Sequence, residues 1–210
     1  MLQTNTIEPA TLELLRSLLG KAYLQHFNLA GGTALALYLG HRTSIDLDLI
    51  TNASFDEQNL MASLQQDYTL TLLYAASGTL KTIINDVNVD ILIHKYPNLE
   101  NPLVTEHIRL CSEPDIIAMK LNAISVSGQR SKDFIDIYYA LKQYDVGRML
   151  SFYQQKYSQP GDMHILKSII YFDDADLSDW PVLLKDPDLR WEQVKERIEK
   201  AVLAFIRERP

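Results

Sequence analysis

Cysteine is nearly absent from this chain. Cys111 stands alone among 210 residues, which excludes an internal disulfide and suits a reducing compartment. Its place between Leu110 and a helix start reads as packing. No apolar run approaches the roughly 20 residues needed to cross a bilayer. The opening Met1-Leu-Gln-Thr-Asn-Thr-Ile-Glu8 also lacks the basic start and apolar core of a secretory signal. A cytoplasmic location without a membrane partner is therefore expected. Positive charge is scarce too: 20 Lys and Arg face 27 Asp and Glu, a formal net charge of −7. That argues against nonspecific DNA coating, while leaving room for a local basic site for RNA or nucleotide. Repeats and low-complexity tracts are missing, and an apolar content of 47% excludes global disorder.

What is present is a strand-and-helix alternation that gives way to helices. Residues 8–25 read as a helix, with Pro9 in the first turn and Leu12, Leu15, Leu18, Leu19 and Ala22 on one face. Phe27–Ala30 reads as a short strand ended by Gly31-Gly32. A second helix is expected over Thr33–Leu39, capped by Thr33 and stopped by Gly40. Ile45–Ile50 reads as a buried strand. Side chains at i and i+2 share a face of a strand, so Asp46 and Asp48 fall together, while Ile45, Leu47 and Leu49 turn to the core. Ser54-Phe-Asp-Glu57 has the capping-box pattern and starts a helix running to about Gln66. Strands are expected at Thr69–Ala75, Leu80–Ile84 and Val87–His94, the last two joined by an Asn85-Asp86 turn. In the final strand Asp90 shares a face with Asn88, Leu92 and His94.

Tyr96–Pro102 reads as a loop or boundary, and beyond about residue 112 the pattern is helical. Ser112-Glu-Pro-Asp115 caps a helix that carries Lys120. Ser131 is the expected cap of a helix from Lys132 to about Gln143, in which Asp133 and Asp136 stand at i,i+3. Short helices at 148–157 and 162–172 and a long one from Asp188 to about Glu208 complete the pattern.

Three acids on two strands, beside glycines at a helix start, suit metal-assisted phosphoryl or nucleotidyl transfer. Two carboxylates on one strand face repel each other, and a divalent cation removes the repulsion. Mg²⁺ favours carboxylate oxygen completed by substrate phosphate and water. Two such ions, about 4 Å apart, can clamp the attacking and leaving oxygens. Asp46, Asp48 and Asp90 are the candidate holders of Mg²⁺ or Mn²⁺. Gly31 and Gly32 let backbone N–H groups approach phosphates, and Thr33 adds a hydroxyl. Taken separately, the glycines read as a tight turn, and the acids equally as a solvated sheet face.

The combination resembles a known family. Ala30-Gly-Gly-Thr-Ala-Leu35 with His41-Arg-Thr-Ser-Ile-Asp-Leu-Asp48, then Val89-Asp-Ile-Leu92, Asp115-Ile-Ile-Ala-Met-Lys-Leu121 and Arg130-Ser-Lys-Asp-Phe-Ile-Asp-Ile137, is similar to the AbiEii/AbiGii nucleotidyltransferase toxins of the DNA polymerase β superfamily. Tyr171-Phe-Asp-Asp-Ala175 is a fainter echo. The resemblance implies an α+β fold: a polymerase β-like mixed sheet with flanking helices over residues 1–100, then a helical subdomain over 101–210 that completes the site. It further implies metal-dependent transfer of a nucleoside monophosphate from an NTP to RNA or tRNA, in a toxin paired with a separate antitoxin. Alternatives are the same chemistry on a protein or small molecule, and a nucleotide-binding module without catalysis.

By motif position, Lys120 would meet the triphosphate and Asp133 would sit at the site with Lys132 and Asp136 beside it. Read from the residues alone, Lys120 is either a snorkelling surface lysine or a phosphate ligand. Asp133 and Asp136 are either site acids or ordinary acids at a helix start. Arg42 is a phosphate contact or a charge partner of Asp46, and Arg130 a contact for RNA or triphosphate. His41 and His94 lack ligand spacing and read as surface or packing residues. Tyr138 and Tyr139 read as helix packing.

Overall fold

A computed structural model describes residues 1–209. Strands β1 (Asn28–Ala30), β2 (Leu47–Thr51), β3 (Leu70–Ala76), β4 (Thr79–Ile84), β5 (Val87–Ile93), β6 (Leu103–Thr105) and β7 (Ile108–Leu110) form one sheet, ordered β3-β4-β5-β2-β1-β7-β6. It is mixed: β2 runs parallel to β5 and β1 parallel to β7, and the other neighbours are antiparallel. The helices are α1 (Pro9–Leu19), α2 (Gly31–Leu39), α3 (Glu57–Asp67), α4 (Glu113–Val126), α5 (Ser131–Ala140), α6 (Val146–Tyr157), α7 (Met163–Ile169) and α8 (Trp191–Arg207). The architecture is α+β, as expected.

The centre of the sheet follows from strand alternation. Leu47 and Leu49 of β2, with Val89 and Ile91 of β5, are fully buried and stand opposite one another in register. Each such side chain contributes about 1.5–3 kcal/mol of transfer free energy. The intervening residues, Asp48 and Asp90, are register partners on the other face. The β4–β5 turn at Asn85-Asp86 has positive φ at both positions, 49° and 65°, a geometry that Asn and Asp tolerate and that matches strand twist. Below the sheet's C-terminal extension, buried Asp115 accepts from the Leu99 N–H at 3.0 Å and from Lys156 Nζ at 2.6 Å. That carboxylate ties the 97–100 loop and α6 to α4.

Several expectations are corrected. Ile45 is 58% exposed and lies before β2, so it does not join the core. The hydrogen bonds of this segment go elsewhere: the Ser44 N–H donates to the Thr6 carbonyl, and Thr33 Oγ1 donates to the Asp46 carbonyl. Asp46 therefore stands just ahead of the strand. Thr33 is not a cap, because α2 begins at Gly31 with Ala30 at the N-cap. Asp56, not Ser54, caps α3, and Glu57 accepts from the Gly78 N–H instead of closing a box. Arg130, not Ser131, precedes α5. The helix expected over 8–25 stops at Leu19 and resumes only as a single 3₁₀ turn, Ala22–Leu24.

The stretch past residue 100 is not purely helical. β6 and β7 form a hairpin through Glu106-His107, and β7 lies parallel to β1. Both turn residues have positive φ, 49° and 66°. Neither is of the Gly, Asn or Asp type that announces such a turn in sequence.

Candidate active site

α2 meets the acidic strands at its first turn. Ala30, the residue before the helix, is the register partner of Asp48 in the antiparallel β1–β2 pair. No side chain caps this end, so its first N–H groups keep the capacity to hold an anion. Gly31 has φ +66°, and a Cβ there would collide with Asp48 Oδ2. At Gly32 a Cβ would collide with Arg42 Nη2. The two glycines thus make room for a carboxylate on one side and a guanidinium on the other. Thr33 is buried, and its hydroxyl is engaged with Ser44 Oγ at 2.7 Å and the Asp46 carbonyl. It joins the helix start to the acidic segment.

The three acids differ in surroundings. Asp46 Oδ1 accepts from Asn88 Nδ2 at 3.1 Å. Asp90 Oδ2 lies 2.9 Å from Lys81 Nζ. Asp48 has no ion-pair partner among the described residues. Burial pushes its pKa up; the nearby Asp90 and Asp46 charges add to the rise, and Lys120 and Arg130 oppose it. A desolvated carboxylate between two others is a place where positive charge is in deficit.

That deficit tests whether a metal suits the site. No three His, Cys, Asp or Glu side chains form a ready metal cage among the described residues. An all-oxygen set completed by substrate phosphates and water is nevertheless the usual Mg²⁺ environment, and Asp46, Asp48 and Asp90 supply such oxygens. The chemistry of these donors suits such an ion.

Against the first turn of α2, at Gly32, lies a buried cluster that the sequence reading only partly anticipated. Asp136, fully buried, accepts from His41 Nε2 at 2.8 Å, from Arg42 Nε at 2.8 Å and from Arg42 Nη2 at 3.1 Å. Lys120 Nζ lies 2.8 Å from Asp136 Oδ2 and also pairs with Asp133 Oδ1. Lys120 therefore does not snorkel to the surface, and the charge partner of Arg42 is Asp136, not Asp46. Asp133 and Asp136 are buried rather than solvated acids at a helix start.

The electrostatics of this cluster are self-consistent. Burial alone would raise the pKa of Asp136, but Arg42, Lys120 and His41 override it and hold the group well below the ordinary carboxylate range. Burial likewise works against charge on Lys120 and Arg42, and the facing carboxylates leave both with raised pKa. For His41 burial wins over Asp136 and the pKa falls. Nε2 donates to the Asp136 carboxylate, and Nδ1 is left buried without a partner. Two cations face two anions, so the cluster has no spare positive charge.

Arg130 and Lys132 lie apart from this arrangement. They line a cavity of about 430 Å³ with Asp174, Asp176 and Asp179, and Lys132 pairs with Asp179. Arg130 is exposed, and its charge still reaches Asp48. Tyr139 packs on His41 with ring centroids 4.8 Å apart, and Tyr138 packs on Tyr139. His94 is half-buried among Tyr96 and Tyr157. The structure thus gathers Gly31, Gly32, Thr33, Arg42, Asp46, Asp48, Asp90, Lys120 and Asp133 around one helix start. Asp136 as the hub, with His41 bonded to it, was not legible as such. Lys81 was overlooked although counting back from the Asn85-Asp86 turn puts it opposite Asp90.

Comparison with known proteins agrees with this fold. A family model described as nucleotidyl transferase AbiEii toxin, type IV TA system, matches residues 13–69 and 85–204. The chain is 28% identical over 200 residues to the uncharacterized protein aq_aa25 of Aquifex aeolicus (strain VF5), covering 92% of this chain and 95% of that one. Two crystal structures from Helicobacter pylori share its fold. One, provisionally assigned as a nucleotidyltransferase, superposes with a TM-score of 0.59 at 15% identity, over 96% of both chains. The other, JHP933, gives 0.57 at 16% identity, over 96% of this chain and 94% of its own.

Proposed function

The chain belongs to the AbiEii nucleotidyl transferase toxin family and is a nucleotidyltransferase; we propose that it transfers a nucleoside monophosphate from an NTP to RNA, at the start of α2 beside Asp46, Asp48 and Asp90. The observation that carries this reading is the pairing of Asp48 with Asp90 in register, next to a helix N-terminus that no side chain caps. A triphosphate brings anionic oxygens to those N–H groups, and the helix dipole favours them there.

Asp46, Asp48 and Asp90 would hold Mg²⁺ or Mn²⁺, which supplies positive charge to the triphosphate and activates the acceptor hydroxyl. The acceptor oxygen forms a bond to the α-phosphorus, the bond from that phosphorus to the bridging oxygen breaks, and pyrophosphate leaves with the electron pair. Asp90, on the open face of β5, receives the hydroxyl proton. Gly31 lets Asp48 close against the backbone that faces the phosphates. Lys120 and Arg42, buried and fully paired, are positioning residues: with Asp133 and Asp136 they brace the first turn of α2. Arg130 and Lys132, on the more open side, are assigned to RNA or the outer phosphates.

We further assign the chain the role of toxin, opposed by a separate antitoxin protein, on the strength of its family. No helix among the described residues is long and apolar enough to cross a membrane. Incubation of purified protein with Mg²⁺, total RNA and each labelled NTP in turn tests the reading. Label in RNA supports it. Label in a protein or small-molecule fraction moves the acceptor to another class. No label anywhere, with EDTA-treated and untreated reactions alike, contradicts it. In cells, induced expression arrests growth, and the Asp46→Ala, Asp48→Ala double variant does not.

A further inference from the structure

Strand β4 brings a cation to the third acid. The Asn85-Asp86 hairpin sets Lys81 opposite Asp90, with Nζ 2.9 Å from Oδ2. The lysine side chain is 48% exposed, so water and salt reach the pair. Lys120 is the contrast: its side chain is 7% exposed and held by two carboxylates. β4 also lies outside the segments matched by the family model, 13–69 and 85–204.

We propose that Lys81 is a displaceable counter-ion of Asp90. It neutralises that carboxylate until a divalent cation arrives with NTP, and then gives up the place. An exposed ion pair of this kind is weak, because water and salt screen it and a flexible lysine loses entropy in making it. A doubly charged ion that brings phosphate oxygens with it wins the exchange, whereas the free ion meets competition. Metal binding is thereby tied to nucleotide binding, and Asp90 remains neutralised in the interval. Once released, the ammonium stands beside an anionic triphosphate. The inference rests on the reading of Asp90 as a metal-holding acid.

The test is a calorimetric titration of the full chain with Mn²⁺ alone and again with a non-hydrolysable NTP analogue, for wild type, Lys81→Met, Lys81→Arg and Asp90→Asn. The lysine is surface-exposed, so its variants keep the fold. Lys81→Met is expected to bind free Mn²⁺ about two- to fivefold more tightly than wild type, with a smaller difference when nucleotide is present. Lys81→Arg, which keeps the charge, stays near wild type, and Asp90→Asn binds more weakly. Equal or weaker Mn²⁺ binding by Lys81→Met, in a series where Asp90→Asn does lose affinity, overturns the role of Lys81 and leaves the site reading intact. Absence of Mn²⁺ binding by wild type, with and without nucleotide, overturns the site reading and this inference with it.

Discussion

Asp136 decides more at the scale of single residues than its place in a helix suggests. It is the one acid that both cations and His41 address. Replacing it with Asn leaves Arg42 buried without a carboxylate and Lys120 with Asp133 alone, a loss of about 3–5 kcal/mol that urea denaturation would register. The pH behaviour follows from the same contacts. The folded state holds the Asp136 pKa well below its ordinary 3.8, so its contribution is complete above that value and is lost as acid titrates the carboxylate in the folded chain. His41 acts in a higher window. Its folded pKa lies below 6.5, so as pH falls beneath 6.5 the unfolded chain takes up a proton that the folded chain refuses, and stability drops. Folding free energy measured between pH 7.5 and 5 is expected to fall with acid in wild type and to fall less in His41→Gln.

The start of α2 is the element on which the site turns. Gly31→Ala forces an L-residue into positive φ, at about 1–2 kcal/mol, and drives its Cβ onto Asp48. Lower thermal stability and loss of transferase activity together are expected. Gly32→Ala pushes Arg42 away from Asp136 and is expected to destabilise at least as much. Gly161, with open space around it, is the control whose Ala variant stays near wild type in both assays.

Strand alternation put Asp48 opposite the core-facing Leu47 and Leu49, and Asp90 opposite Val89 and Ile91, but that β2 and β5 pair with Asp48 beside Asp90 was not readable; the Asn-Asp turn made the β4–β5 register countable. What stayed hidden depends on contacts distant in sequence. Asp136 and His41 are 95 residues apart, and nothing local to either announces the bond. Thr33 looked like a cap because hydroxyls often cap helices, yet the helix starts two residues earlier, at Gly31, and the Thr33 hydroxyl donates to the Asp46 carbonyl. The β6–β7 hairpin was missed because Glu106-His107 is an unusual pair for a turn with two positive φ angles. The turn at Asp86 offers a related check: Asp86→Gly relieves positive φ and is expected to stabilise the hairpin by a few tenths to about 1 kcal/mol in thermal or urea unfolding.

For the molecule as a whole, charge sets the terms of the reaction. A net charge of −7 repels both RNA and NTP at long range, so the proposed binding depends on what is concentrated at one place: an uncapped helix start, the exposed Arg130 and the acids proposed to hold a metal. The buried cluster cannot serve as that attraction, since its cations are already matched by Asp133 and Asp136. On the proposed reading, a bound metal supplies much of the positive charge that the triphosphate needs. The most direct measurement is release of pyrophosphate and transfer of label from α-³²P NTPs to total RNA, comparing wild type with Asp48→Asn at equal, verified folding. Mg²⁺-dependent label in RNA with matching pyrophosphate from wild type, and a fall of at least about 100-fold in Asp48→Asn, is the predicted result. Equal activity in the two proteins, or no transfer to RNA from any NTP by wild type, would contradict it.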